Sequence, residues 1–170
     1  MKKEMTAAVA LATLLLALAG CTQGDTNAST DAAGQRYLLD AAPAGALEVL
    51  AARETVKNED EIVVVGRIGG RMKPLNEDLA AFYLVDNSYR ACSDIEGDEC
   101  PTPWDYCCDS PGTKGQVLVT VVDENGQVVD KGARELLGLK ELQTVVVRGS
   151  AERDDKGNLT ILATGIFVKG

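Results

Sequence analysis

The chain reads as an all-β domain: a five-stranded barrel with one short helix between its third and fourth strands, preceded by a short helical segment. Three observations predict it. From residue 61 onward the sequence divides into stretches rich in Val, Ile and aromatic residues, each bounded by turn residues, which is strand patterning. Three of those stretches carry an internal glycine, Gly66, Gly149 and Gly165, at points where a closed sheet has to bend. Between the third and fourth stretches, Leu136, Leu137, Leu139 and Leu142 recur at the spacing of one short helix within residues 132–142.

The five strands are expected at residues 61–68, 80–86, 116–123, 144–151 and 159–169. Asp123-Glu-Asn-Gly126 and Asp154-Asp-Lys-Gly-Asn158 are turn sequences, and the second joins the last two strands as a hairpin. Ahead of them, residues 36–60 are a helical lead-in. Over 37–58 it reads as one helix or two short ones, because Pro43 and Gly45 interrupt the first half while Ala46, Leu47, Val49, Leu50 and Ala51 keep helical spacing.

The N-terminus carries Lys2 and Lys3, an apolar run from Met5, and then Leu18-Ala19-Gly20-Cys21. A positive start, a short apolar run and small residues before a cut site are the layout of a secretory signal peptide, here residues 1–20. Fifteen residues rising about 1.5 Å each do not span a hydrocarbon core of roughly 30 Å, which argues against a membrane-spanning helix. The last four residues resemble the lipobox of bacterial lipoproteins. That resemblance implies lipidation of the Cys21 thiol, cleavage before it, and acylation of the new amino group, so the membrane is a partner through the anchor. Thr22 follows the cysteine where an Asp would signal retention, so by resemblance the outer membrane is favoured over the inner. Residues 21–35 contain no large apolar side chain and read as a flexible lipidated tether.

Without the leader the chain holds 15 basic and 25 acidic side chains, a net charge of −10. That sign opposes polyanions and argues against nucleic acid as a partner. The chain contains no histidine. This excludes a Ser-His-Asp or Cys-His catalytic arrangement, a His-ligated metal and a histidine pH switch.

Three strands, a helix and two more strands over 61–170 resemble the OB-fold. Val64-Val65-Gly66-Arg67-Ile68, Phe82-Tyr83-Leu84-Val85-Asp86 and Val145-Val146-Val147-Arg148-Gly149 resemble its anticodon-binding type in particular. Such modules bind anionic strands on the second and third strands and on two loops. Here both loops lack aromatic stacking residues, so Arg67, Arg71 and Lys73 read as solvated surface before they read as a phosphate site. Gly66 and the Gly69-Gly70 pair do not open a helix as a dinucleotide fingerprint would.

Everything unusual lies between the second and third strands, in residues 87–115. This connection is about twice as long as compact domains normally hold without a structural or functional reason. It contains Cys92, Cys100, Cys107 and Cys108, and the one tryptophan, in Pro101-Thr-Pro-Trp-Asp-Tyr-Cys-Cys108. Together with Gly66-Arg-Ile-Gly-Gly70, that string resembles a group of uncharacterised exported bacterial lipoproteins, which implies fold and location and no activity.

Three readings compete for the cysteines. Two structural disulfides come first, because the expected compartment is oxidising and a long irregular loop needs a staple, each bridge contributing about 2 to 4 kcal/mol. Joining Cys107 to Cys108 would close a strained eight-membered ring. That leaves Cys92–Cys107 with Cys100–Cys108, or Cys92–Cys108 with Cys100–Cys107. A four-thiolate site for zinc or a soft ion such as Cu(I) is second. Against it stand the spacing, which lacks paired C-x-x-C knuckles, and the tendency of adjacent side chains on extended backbone to point apart. A redox-active Cys107-Cys108 pair is third, its thiols blunted by Asp105 and Asp109. The acidic residues Glu96, Asp98, Glu99, Asp105 and Asp109 form no calcium-loop pattern and read as solvated. Tyr89, Trp104 and Tyr106, with Arg67, Arg71 and Lys73, form the candidate binding surface. Trp104 itself reads as a buried plug that packs the insertion on the barrel.

The expected function is that of a lipid-anchored, non-enzymatic binding or assembly module of the cell envelope, with an envelope protein as partner and no cofactor or metal. The alternative is a metal-handling or thiol-redox protein working through the insertion.

Overall fold

The strand stretches close on themselves. The computed structural model describes residues 31–170; the leader, Cys21 and residues 22–30 of the expected tether lie outside the described residues. Strands β1 (Leu47–Glu48), β2 (Glu61–Ile68), β3 (Ala81–Val85), β4 (Gln116–Val121), β5 (Thr144–Arg153) and β6 (Leu159–Val168) make one sheet. β2 runs antiparallel to β5, from Glu61↔Ser150 to Arg67↔Thr144, and meets β3 at Arg67↔Val85. β3 pairs with β4 and β5 with β6, both antiparallel, and the parallel β4–β6 pairing at Leu118↔Thr160 completes the ring. Five strands thus form a closed barrel with helix α2 (Ala133–Leu137) between its third and fourth members, the OB-like architecture expected from the sequence.

Alternation sets the core. Ile62, Val64 and Ile68 of β2, Val117, Val119 and Val121 of β4, and Val145 and Val147 of β5 point inward and are buried. One end is filled from α2 and the residues after it, where Leu136, Leu137 and Leu139 are buried. Gly138 closes that helix in the left-handed conformation (φ 68). The sheet bends at a register shift between Arg148 and Gly149, where a Cβ on Gly149 would lie 2.0 Å from the Leu162 carbonyl oxygen.

The lead-in differs from expectation. Its helix, α1, is confined to Val49–Thr55, and the two residues before it form β1, which pairs parallel with Val64 and Val65 on the part of β2 that β3 leaves free. The Leu50 amide donates to Asp86 Oδ2 at 2.8 Å, so the helix start is tied to the end of β3.

The chain is also held earlier than residue 35, where the tether was expected to end. Asp31 pairs with Lys131, Tyr37 is buried, and the Leu39 amide donates to the Ile166 carbonyl at 2.8 Å. Gly34 makes the approach possible, since a Cβ there would overlap the Leu136 carbonyl oxygen at 1.7 Å. Among the described residues no helix is long and apolar enough to cross a membrane.

Candidate functional site

The insertion leaves the barrel at the end of β3 and returns at the start of β4, and backbone bonds zip its base. The Asp86 amide donates to the Gly115 carbonyl and the Arg90 amide to Asp109 Oδ2, both at 2.9 Å. Its cysteines lie on short turns held by aspartates. Cys92 begins a 3-10 turn, Cys92–Asp94, directly after the buried Ala91. Asp94 accepts from the Ala91 amide and pairs with Arg67 of β2.

The other cysteines share a device. Asp98 Oδ1 accepts the Cys100 amide at 2.7 Å, and Asp105 Oδ1 accepts the Cys107 amide at 2.9 Å. Each is a D-x-C unit in which the carboxylate turns the chain and aims the following thiol. Asp105 is itself fixed by the Thr102 hydroxyl at 2.8 Å. Burial alone would raise its carboxyl, but the Thr102 and Cys107 bonds hold it below the usual carboxylate value.

These turns bring all four thiols together. Cys107 Sγ lies 3.4 Å from that of Cys92 and 3.8 Å from those of Cys100 and Cys108. None is within bonding distance of another, a disulfide being about 2.05 Å, so all four are free thiols and the expected bridges are not formed. The adjacent cysteines do not diverge: Cys107 Sγ and Cys108 Sγ stand 3.8 Å apart, directly after Tyr106, which adopts the left-handed conformation (φ 58, ψ 35). Asp98 and Asp105 complete the donor set. Cys92, Cys100, Cys107 and Asp105 form one group and Cys92, Asp98 and Cys108 another, the ligand atoms in each within 4.8 Å of one another.

The electrostatics centre on Cys92. Burial would raise its thiol, but hydrogen bonds from the Cys108 amide and from the thiols of Cys107, Cys108 and Cys100 bring it below the ordinary thiol value. Cys107 is driven well above that value by its bonds to Cys92, Cys108 and Cys100. Cys108 is pushed up to about 11, chiefly by its contact with Asp98 at 3.1 Å. Asp98 beside Cys108 and Asp105 beside Cys107, and not Asp109, are therefore the carboxylates facing the vicinal pair. Among these three thiols the surroundings thus favour deprotonation at Cys92 and oppose it at Cys107 and Cys108.

The fully buried aromatic of the insertion is Tyr106, not Trp104. Tyr106 packs with Val85 and Ala91 in a small second core, its hydroxyl buried without a hydrogen-bond partner. Burial pushes that phenol up to about 12, against a weaker pull from nearby Arg67. Trp104 is half-buried and donates Nε1 to the Met72 carbonyl at 3.1 Å.

The rest of the candidate surface is engaged within the domain. Tyr89 covers Gly115, where a Cβ would lie 2.4 Å from its ring. Arg67 joins Asp94 and the Leu142 carbonyl, Arg71 stacks on Tyr83 at 4.6 Å and reaches Gln116, and exposed Lys73 pairs with Glu77. A cavity of about 490 Å³ between residues 72–77 and 132–141 is an open groove whose Lys73–Glu77 and Arg134–Glu141 charges are paired; the cysteines lie outside it.

Sequence reasoning passed over the two D-x-C units, at 98–100 and 105–107, although their repetition beside cysteines was visible. Neither a protein-family model nor a curated protein sequence matches the chain.

Proposed function

We propose that this protein is a lipid-anchored metal-binding protein of the bacterial cell envelope, an OB-like barrel whose insertion holds an ion on Cys92, Cys100, Cys107 and Cys108. One observation carries the reading, the separation of the thiols. Four sulfurs each about 2.3 Å from a central ion stand about 3.8 Å apart, and the three contacts to Cys107 measure 3.4, 3.8 and 3.8 Å. Two disulfides require two separate pairs, whereas Cys107 touches all three of the others. Binding one ion uses every contact, and a bridge through Cys107 uses one.

The lipobox-like Leu18-Ala19-Gly20-Cys21 supports the location. The absence of histidine and the acidic surroundings of the thiols support binding over catalysis. Energetics favour the ion as organiser of the loop. Structural thiolate sites gain about 10–16 kcal/mol on binding zinc, against about 2–4 kcal/mol for each bridge.

The test is metal content and thiol counting on mature protein recovered from the envelope. One ion per chain is expected, with four thiols shielded from alkylation until a chelator is added. A chain lighter by four hydrogens, without metal, would overturn the proposal and restore the two-disulfide reading.

A further inference from the structure

We infer that the site is built for one divalent tetrahedral ion of the zinc class, exchanged across the exposed Cys107–Cys108 edge, and not for a single monovalent soft ion such as Cu(I). This rests on the metal-binding reading and adds the ion's charge, geometry and route.

Three observations converge. The first is donor number. Cu(I) and zinc both accept thiolates, but Cys107 Sγ has the other three sulfurs within 3.8 Å, and a set of four thiolates suits zinc or iron. The second is charge. Residues 87–115 hold Asp94, Glu96, Asp98, Glu99, Asp105 and Asp109 against only Arg90 and Lys114. Arg67, the cation that reaches the insertion from the barrel, is already paired with Asp94. Four thiolates with a monovalent ion would leave three negative charges in that field, and a divalent ion leaves two. The third is the carboxylates themselves. Asp98 and Asp105 lie within ligand reach of the sulfurs, and oxygen donors suit zinc and not Cu(I).

The route follows from burial. Cys92 is buried and Cys100 half-buried, while Cys107 and Cys108 are exposed. An ion therefore meets the exposed pair first and leaves by them last. Asp105 is a positioning residue here: it aims Cys107 through the backbone amide and supplies negative charge beside Cys92.

The experiment titrates the reduced, metal-free mature chain separately with Co²⁺, Zn²⁺ and Cu(I). Expected are one Co²⁺ per chain with the intense visible bands of tetrahedral thiolate coordination, stoichiometric displacement by Zn²⁺, and no single-ion end point with Cu(I). Asp105→Asn keeps the amide acceptor and removes the charge. It should weaken zinc about 10- to 100-fold, the usual effect of groups that support metal ligands, and shift the Co²⁺ bands. Limiting iodoacetamide, applied while a chelator draws zinc from the loaded chain, should label Cys107 and Cys108 before Cys92. One tightly held Cu(I) per chain with zinc refused, iron as the resident ion, six-coordinate Co²⁺ spectra, or labelling that begins at Cys92 would each overturn this inference and leave the metal-binding reading standing. Four titratable thiols that take up no metal would remove both.

Discussion

Asp86 shows what one side chain can organise. It is buried at the end of β3 and accepts three hydrogen bonds, from the Leu50 amide at 2.8 Å and from the Ser88 amide and hydroxyl at 3.0 and 2.6 Å. Burial would raise its carboxyl, but the Leu50 and Ser88 donors outweigh it and hold it below the usual value. Its stabilising effect is therefore complete above about pH 4, the unfolded-state value, and is lost as pH falls through the lower folded value. Asp86→Ala should destabilise by about 1–3 kcal/mol by stranding a buried amide. The acid limb of its stability-against-pH curve should also be shallower than that of the parent, measured by urea unfolding between pH 7 and pH 2. At the same scale, Tyr106→Ala should cost about 3–5 kcal/mol as a large buried ring is removed, whereas Tyr106→Phe should change little, because the hydroxyl lacks a partner. Trp104→Ala should cost less than Tyr106→Ala, since Trp104 is half-buried and makes one hydrogen bond outward. Composition pointed to the single tryptophan as the plug. It could not show that left-handed backbone at residue 106 turns the neighbouring tyrosine inward and leaves the tryptophan lying over the β2–β3 loop.

Between elements, the insertion and the β2–β3 loop are interlocked. The Gly70 amide donates to the Trp104 carbonyl at 2.8 Å, and a Cβ on Gly69 would stand 2.6 Å from the Tyr106 ring and 2.7 Å from the Trp104 carbonyl oxygen. The Gly69-Gly70 pair, set aside as a failed nucleotide fingerprint, is therefore a seat for the cysteine loop. Gly69→Ala should destabilise the fold by about 1–3 kcal/mol through overpacking and weaken metal binding. Gly126→Ala is the control: its left-handed turn (φ 74) has nothing within 4 Å of a new Cβ, so it should cost about 1 kcal/mol of backbone strain and leave metal affinity unchanged. Isothermal titration with zinc, beside thermal melts, separates the two. The barrel strands were legible because Val-rich alternation and flanking turns report burial on one face, and residues 61–68 match β2 end to end. β1 was not legible. Leu47 and Glu48 are extended because β2 offers an open edge there, a fact held in the sheet topology and absent from the local sequence.

For the whole molecule, the question is where the folded domain begins. The polar composition of residues 22–35 suggested a free tether to residue 35, yet Asp31 is already engaged with the fold, its carboxyl held below its usual value chiefly by the bond from Lys131. Composition misleads here because docking uses the smallness of Gly34 and one ion pair in place of large apolar side chains. From there the chain runs along β6, with Tyr37 at 5 % exposure, Leu38 bridged to Ile166, and Arg36 stacked on the Tyr37 ring at 4.8 Å. Two truncations test this boundary. A chain beginning at residue 31 should melt at the same temperature as the longer mature chain, because it keeps every one of these contacts. A chain beginning at residue 40 loses Tyr37 and the Leu39–Ile166 hydrogen bond, and uncovers part of Ile166 and Leu136. Losing a buried aromatic and a backbone bond together amounts to roughly 3–5 kcal/mol, or about 5–15 °C in melting temperature for a domain of this size. Equal melting temperatures for the two truncations would show that the segment 31–39 is an appendage and that the barrel is complete without it. A clear drop confined to the shorter chain would show that the domain begins by residue 31, making any tether shorter by five residues, about 17 Å at roughly 3.3 Å per extended residue, than a boundary after residue 35 would give.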